Sequence, residues 1–315
     1  MGFFDIIDLP ALIYGPETKY PLFNRFSLET SSYCNRSCSF CPVSNGARPN
    51  QILMREELFE KILWELHELQ YDGILSLFFL NEPTLDKRLF KGDNPWCSRI
   101  RQALPKATIY ASTNGDAFRS VEDIAALFDA GLTVLNLNIY DSGPEQALKY
   151  RTWAEEGDSQ DLWELTEHKY RKHSVRRRYL AISDMRMERD DYKIVDSWMV
   201  KNADQREGIT APQRHCARTH RHLITQYDGR VPLCCGIDNL VENALFVGDL
   251  NTQSIEEIWN CEELYKYRWF LQHARRELPW CSTCNHRMAY SHVVRFVTPD
   301  TPERRDAWEN CKVNS

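Results

Sequence analysis

No run of the 315-residue chain approaches the roughly 18 uninterrupted apolar residues of a membrane-spanning helix. The first basic residue is Lys19, so the apolar start lacks the charged head of a secretory signal. Ile6 stands where a myristoylation pattern needs Ser or Thr. There is no excess of basic charge. A formal charge of −6 removes the electrostatic footprint expected of a nucleic-acid binder. No low-complexity linker and no repeat beyond a strand–helix alternation is visible. These absences predict a cytoplasmic protein with neither a membrane nor a nucleic-acid partner. What is plentiful is cysteine. Eleven thiols without an export signal read as thiols kept reduced for metal, hence an oxygen-sensitive protein. Hydrophobic and aromatic contents of 43% and 12% suffice for a large core, in one domain with an appendage or in two domains sharing an interface.

The cysteines fall into two sets. Cys34, Cys38 and Cys41 stand at spacings of four and three in the stretch Cys34-Asn35-Arg36-Ser37-Cys38-Ser39-Phe40-Cys41. Zinc asks for four ligands, and no further Cys or His lies close by. Three thiolates suit three irons of a cubane that normally takes four, leaving one iron open to another ligand. The second set is Cys216, Cys234, Cys281 and Cys284. Four thiols ending in Cys-x2-Cys describe a zinc ribbon as well as a cluster site, and on spacing alone zinc is favoured.

Around the first set the chain alternates. A strand over 23–31 delivers the cysteine loop at its C-terminal end, where α/β folds place their chemistry. A helix over 54–69 carries Leu58, Ile62, Leu63, Leu66 and Leu69 at helical spacing. A near-continuous apolar strand follows at 74–80. A helix near 99–104, a strand at 108–112, a helix at 121–130 stopped by Gly131 and a strand at 133–139 continue the pattern. The charged stretch 145–175 reads as helical, and 179–182 as the last strand of the unit. Such alternation implies a parallel sheet with helices outside. Further on, Tyr227 to Cys234 reads as a hairpin turned on Asp228-Gly229, and 255–271 as one amphipathic helix.

Cys-x3-Cys-x2-Cys with an aromatic, Phe40, before the last cysteine resembles the signature of radical S-adenosylmethionine (SAM) enzymes. The resemblance implies a partial (β/α)6 barrel. It also implies a [4Fe–4S] cluster on Cys34, Cys38 and Cys41, whose open iron chelates SAM. One electron, from a donor such as flavodoxin or ferredoxin, cleaves SAM to a 5′-deoxyadenosyl radical that abstracts hydrogen. Three strand-end stretches match by order. Asn81-Glu82-Pro83 stands where the family usually has Gly-Gly-Glu or Gly-Glu-Pro, with Glu82 facing the methionine ammonium and Asn81 departing from the usual Gly. Ser112-Thr113-Asn114-Gly115-Asp116 resembles the ribose-side stretch, with Ser112 and Asn114 as contacts. Asn138 lies where a polar residue reaches the cofactor. The alternative is that all three are ordinary strand-end turns.

The second cysteine set resembles the C-terminal SPASM domain of these enzymes or its shortened twitch form. The position after a radical SAM unit turns the choice from zinc to iron–sulfur. With no thiol between Cys284 and Cys311, the set suits one auxiliary [4Fe–4S] cluster. The expected organisation is an N-terminal extension (1–22), a barrel (23–205), an α+β auxiliary-cluster domain (206–290) and a tail (291–315). Cys97, Cys235, Cys261 and Cys311 remain. Each reads as a small apolar side chain, with Cys235 and Cys261 the candidates for donating hydrogen to a substrate radical. His215, His220 and His222 flank Cys216 and read as hydrogen-bonding or solvent-facing groups, with a metal role as the alternative. The basic run His168 to Arg178 reads as a solvated helix face, or as a dock for an acidic partner. The resemblance implies a natural-product precursor as substrate: a ribosomally made peptide is the expectation, and an amino sugar or aminocyclitol to be dehydrogenated or epimerised is the alternative. The auxiliary-cysteine spacing resembles the aminocyclitol type, whereas the long N-terminal segment and the charged stretch 145–178 point to a peptide. A leader-binding module does not fit in the 33 residues before Cys34, so a peptide would need a small presenting partner protein. A non-catalytic metal-binding module is the third reading.

Overall fold

The computed structural model describes residues 22–38, 41, 51–168, 171–185, 216, 218–235, 245–278 and 281. Seven strands form one sheet: β1 (Arg25–Leu28), β2 (Ile74–Ser76), β3 (Thr108–Thr113), β4 (Val134–Ile139), β5 (Glu164–Leu165), β6 (Tyr179–Asp184) and β7 (His222–Thr225). Their order is β5-β6-β4-β3-β2-β1-β7, and every pairing is parallel. Among the described residues the sheet stays open between β5 and β7, as a partial barrel does.

The helices α1 (Glu56–Glu68), α2 (Lys87–Phe90), α3 (Trp96–Ala103), α4 (Val121–Asp129) and α5 (Pro144–Ser159) connect the strands. Glu56 and Glu57 open α1, where negative charge complements the helix dipole. The chain leaves α4 through Gly131, whose φ of +111° is open to glycine at little cost. The expected strand 74–80 is shorter because side chains take over its donors. Asn81 Oδ1 accepts from Phe79 N–H at 3.1 Å and Glu29 Oε1 accepts from Leu80 N–H at 2.9 Å, which ends the ladder after Ser76.

The strand registers separate two faces. Phe26, Leu28, Leu75, Ile109, Ala111, Leu135, Leu137, Leu180 and Leu223 point outward into the main hydrophobic core. The register partners of the alternate residues bring His222, Arg25, Ser27, Ser76, Tyr110, Ser112, Asn136, Asn138 and Ser183 to the concave face. Ile74, Tyr110 and Val134 close the N-terminal end of that face as a small apolar plug. Nearer the C-terminal strand ends it turns polar.

Four expectations change. The stretch 145–175 is not one helix: α5 stops at Ser159, Asp161 takes φ +58°, and β5 adds an edge strand. Among its described residues the basic run 168–178 is therefore no helix face, and Lys172, Arg177 and Arg178 pair with Asp72, Glu164 and Asp129. Asp228-Gly229 does form a tight turn, closed by Gly229 N–H to the Gln226 carbonyl at 3.0 Å. Gln226 N–H also donates to the Arg230 carbonyl at 2.9 Å, but beyond that pair the flanking strands take other partners. β7 joins the barrel beside β1, and β8 (Arg230–Pro232) pairs antiparallel with β9 (Phe246–Asp249). The helix expected over 255–271 is two helices, α6 (Ile255–Trp259) and α7 (Glu262–His273), broken where Cys261 turns extended and caps α7 with its sulfur.

One core runs from Phe23 to Cys281. Phe23 packs on Phe26, Tyr71 and, at 5.1 Å, Trp259. The C-terminal unit is thus built onto the barrel's own core. Among the described residues no helix is long and apolar enough to cross a membrane.

Candidate active site at the C-terminal end of the sheet

Parallel strands present their C-terminal ends to the connecting loops, and the candidate residues meet there. Cys34 follows β1 by six residues and is partly buried. Its sulfur accepts from Arg36 N–H at 3.5 Å and from Asn114 Nδ2 at 3.8 Å. Burial pushes its thiol up to about 11, opposed by those two donors. Cys41 N–H donates to the Cys38 carbonyl at 2.9 Å, which turns the loop back on itself. Phe40 lies outside the described residues.

Tyr140, directly after β4, feels the charge of Cys34, Cys38, Cys41 and Glu82 together. Burial first, and those groups second, keep its hydroxyl protonated. Tyr140 and the three thiols therefore lie in one electrostatic neighbourhood. The sequence reading missed Tyr140; the available signal was its place two residues past Asn138.

Glu82 is 3% exposed and heavily bonded. Its Oε1 accepts from Thr84 N–H at 3.1 Å and from the Thr84 and Thr113 hydroxyls at 2.6 Å each. Its Oε2 accepts from Asn114 N–H at 2.8 Å. Burial raises its pKa and these donors pull it back. A carboxylate has about four acceptor sites, so capacity remains mainly on Oε2. Glu82 N–H in turn donates to the Tyr33 carbonyl at 3.0 Å, which seats the loop after β2 against the cysteine loop. Pro83 opens a 3-10 turn over Pro83–Leu85. Asn81 is a tie between strand ends, with its Nδ2 on Ser31 Oγ at 3.2 Å.

Ser112, Asn136, Asn138 and Ser183 form a ladder across β3, β4 and β6. Ser112 Oγ accepts from Asn136 and Asn138 at 2.9 and 2.8 Å, Asn136 donates to Asn138 Oδ1 at 2.7 Å, and Ser183 donates to Asn136 Oδ1 at 2.8 Å. Asn136 and Ser183 were also missed by the sequence reading. The two-residue period of a strand from Asn138 was the signal for Asn136. The ladder gives the open end of the barrel a wall of hydroxyl and amide groups suited to polar ligands.

The second cysteine set gathers at the C-terminal unit. Cys216 N–H is fixed by the Leu271 carbonyl at 3.0 Å and Cys281 N–H by the Leu278 carbonyl at 2.9 Å. Burial pushes the Cys234 thiol well up, with Cys235, Cys281 and Cys216 adding negative charge. Cys216, Cys234 and Cys281 therefore share one neighbourhood. Cys284 and Cys311 fall outside the described residues, as does His215. Among the described residues no three His, Cys, Asp or Glu groups converge on a site for a single ion. Clusters ask for a looser arrangement, because each thiolate holds a different iron. Thiolates alone suit such a cluster, and the described ligand candidates in both places are thiols.

The spare groups are placed as follows. Cys235 contacts the Arg218 guanidinium. Cys261 accepts from Leu264 N–H at 3.4 Å as the cap of α7, and burial raises its thiol. Cys97 is fully buried, its thiol pushed up to about 12 by that burial. His222 lies 2.8 Å from Ser27 Oγ on the barrel floor and His220 is buried.

Residues 28–186 match the radical SAM superfamily, and residues 216–285 match SPASM, an iron–sulfur cluster-binding domain. The chain belongs to the radical SAM superfamily. It is an enzyme that uses a [4Fe–4S] cluster with SAM, and it carries an auxiliary iron–sulfur domain at its C-terminal side. Among characterised relatives it is similar to the S-adenosyl-L-methionine-dependent 2-deoxy-scyllo-inosamine dehydrogenase of Niallia circulans. Identity is 22% over 269 residues, covering 84% of this chain and 93% of that one. Its fold is similar to the crystal structure of BtrN in complex with AdoMet and 2-DOIA (TM-score 0.62, 20% identity, 85% and 94% of the two chains). BtrN in an open conformation is similar as well (TM-score 0.56, 19% identity, 84% and 94%).

Proposed function

We propose that the enzyme oxidises a carbinol carbon of an amino sugar or aminocyclitol to a ketone. One observation carries the reading: the likeness to an inosamine dehydrogenase covers 84% of this chain and 93% of that relative. The peptide expected from the charged stretch 145–178 is the substrate this likeness does not favour. Cys34, Cys38 and Cys41 hold the first cluster, while Cys216, Cys234, Cys281 and Cys284 hold the auxiliary one. When bound, the first cluster and SAM supply the radical that removes hydrogen, and the auxiliary cluster supplies a one-electron acceptor.

The chain's own residues do the rest. Glu82 seats the loop after β2 and offers Oε2 to the methionine ammonium as a charge-assisted acceptor. Ser112, Asn114 and Asn138 bind the cofactor side of the pocket. Asn136 and Ser183 continue the same wall toward the substrate's hydroxyl groups. The reaction balances as follows: the carbinol C–H gives up a hydrogen atom, its O–H gives up a proton, and one electron leaves, so that C–O becomes C=O. A small one-electron donor such as flavodoxin or ferredoxin supplies the electron that starts a turnover.

The test is product analysis under anaerobic conditions with reconstituted protein, SAM and a reductant. Aminocyclitols and amino sugars are expected to yield 5′-deoxyadenosine and ketone in equal amounts. Cys234→Ala is expected to fall from about eight irons to about four and to lose the ketone. Peptide-dependent formation of 5′-deoxyadenosine, with none from any amino sugar or aminocyclitol, would replace this reading by the peptide one.

A further inference from the structure

Arg36 sits between two candidate cluster ligands, yet its side chain leaves the cysteine loop. Its Nε donates to Asp116 Oδ2 at 2.7 Å, its Nη2 to Asp116 Oδ1 at 2.5 Å, and its Nη1 to Asp141 Oδ1 at 2.7 Å. The guanidinium also lies 5.5 Å from the centre of the Tyr140 ring. Its neighbour Asn35 follows the same path, donating to Asp116 Oδ2 at 2.9 Å and accepting from Asn114 Nδ2 at 2.8 Å. Two consecutive residues of the cysteine loop are thus fastened to the loops after β3 and β4.

Those two loops form a rigid wall of their own. Gln146 of α5 accepts from Tyr140 and Asp141 N–H at 2.7 and 2.9 Å, and the Tyr150 hydroxyl donates to the Asn114 carbonyl. Gly115, at φ +71°, lets the chain pass so close to Tyr150 that a Cβ there would meet its hydroxyl at 2.3 Å. The wall carries Asn114, which bonds both Glu82 and Cys34. A ligand that touches the cysteine loop on one side and the Glu82–Asn114 wall on the other is bound only as well as the two are held in register.

We propose that Arg36 is a positioning residue for SAM: its fork to Asp116 and Asp141 sets the cysteine loop against the Glu82–Asn114 wall. The inference concerns the cofactor and stands whether the substrate is an amino sugar or a peptide. The planar fork is the point, because a lysine ammonium cannot make the bidentate pair to Asp116 and reach Asp141 as well. Side-chain exposures of 17% for Arg36, 31% for Asp116 and 55% for Asp141 mean partial screening, so the effect is moderate.

The experiment is equilibrium dialysis of SAM against reconstituted full-length protein, with iron counted in the same samples. Hydrogen exchange of residues 34–38 is followed in metal-free protein. Arg36→Met is expected to keep its iron, to weaken SAM binding about tenfold, equivalent to about 1.4 kcal/mol, and to lose protection in the loop. Arg36→Lys recovers part of the loss. Adding Asp116→Asn to Arg36→Met costs little more, since both remove one interaction. Unchanged SAM affinity in Arg36→Met overturns the proposal, as do iron loss in step with affinity and additive losses in the double variant. Arg36→Lys and Asp116→Asn retain polar side chains at the clasp and answer the question if Arg36→Met fails to fold.

Discussion

His222 and Ser27 meet across 195 residues of sequence, 2.8 Å apart on the barrel floor. Burial holds the imidazole well below 6.5, and the nearby Arg25 and Arg218 cations act in the same direction. The sign of the consequence follows from linkage. Above pH 6.5 the ring is neutral in both states and pH has no grip on it. As pH falls below 6.5 the unfolded histidine binds a proton that the folded one refuses, so stability drops until the folded value is reached. The slope for one such group is at most about 1.4 kcal/mol per pH unit. Urea midpoints measured at pH 7 and pH 5.5 should therefore fall further in wild type than in His222→Gln. Equal falls would mean that His222 is not the group responsible. The histidines beside Cys216 read from the sequence as hydrogen-bonding or solvent-facing groups, with a metal role as the alternative. Ser27 decides for hydrogen bonding at His222, and no local pattern reveals that partner. At Cys261 likewise, a candidate hydrogen donor by its thiol is, by position, a helix cap.

Helix α1 is the element that joins the two units. Its Glu65 accepts from Ile255 N–H at 2.6 Å at the start of α6, and Lys61 donates to the Gln253 carbonyl at 2.7 Å. Just ahead of the helix, Arg55 donates to Asn251 Oδ1 at 2.6 Å. A carboxylate on a buried helix N-terminus satisfies an orphan donor and complements the dipole. Glu65→Ala is expected to lower stability by about 1–3 kcal/mol, read as a lower urea midpoint. Exchange at Ile255–Trp259 should quicken more than exchange in β3. Uniform change in both elements would show that Glu65 supports the fold in general and not α6. The apolar spacing of α1 was legible because helical periodicity is local. The split of α6 from α7 was not, because both helices carry acidic residues in the first turn and apolar ones behind, and only the extended backbone at Cys261 separates them.

At the scale of the molecule, Phe23, Tyr71 and Trp259 bring the N-terminal edge of the barrel and the SPASM unit into one apolar cluster. β7 strengthens the union, since a strand inside the SPASM match lengthens the barrel sheet. A shared core predicts shared unfolding. Phe23→Ala should cost about 3–5 kcal/mol, and helix signal and iron–sulfur absorbance should be lost at one common, lowered denaturant midpoint. Two separate midpoints would show instead that the units unfold independently.

The sequence by itself determined the chemistry and the order of the elements. Cysteine spacings of four and three, the Cys-x2-Cys pair and the strand–helix alternation are short-range patterns, each complete within a few residues of chain. The tertiary structure decided what those patterns face. It brought Tyr140 into the neighbourhood of three thiols and aimed Arg36 at Asp116 and Asp141. It also aligned Ser112, Asn136 and Ser183 into one wall, and set β7 beside β1. Each of these joins residues distant in sequence through strand register and side-chain direction. Register depends on which strands pair, and pairing is settled only when the whole apolar face of the sheet is buried.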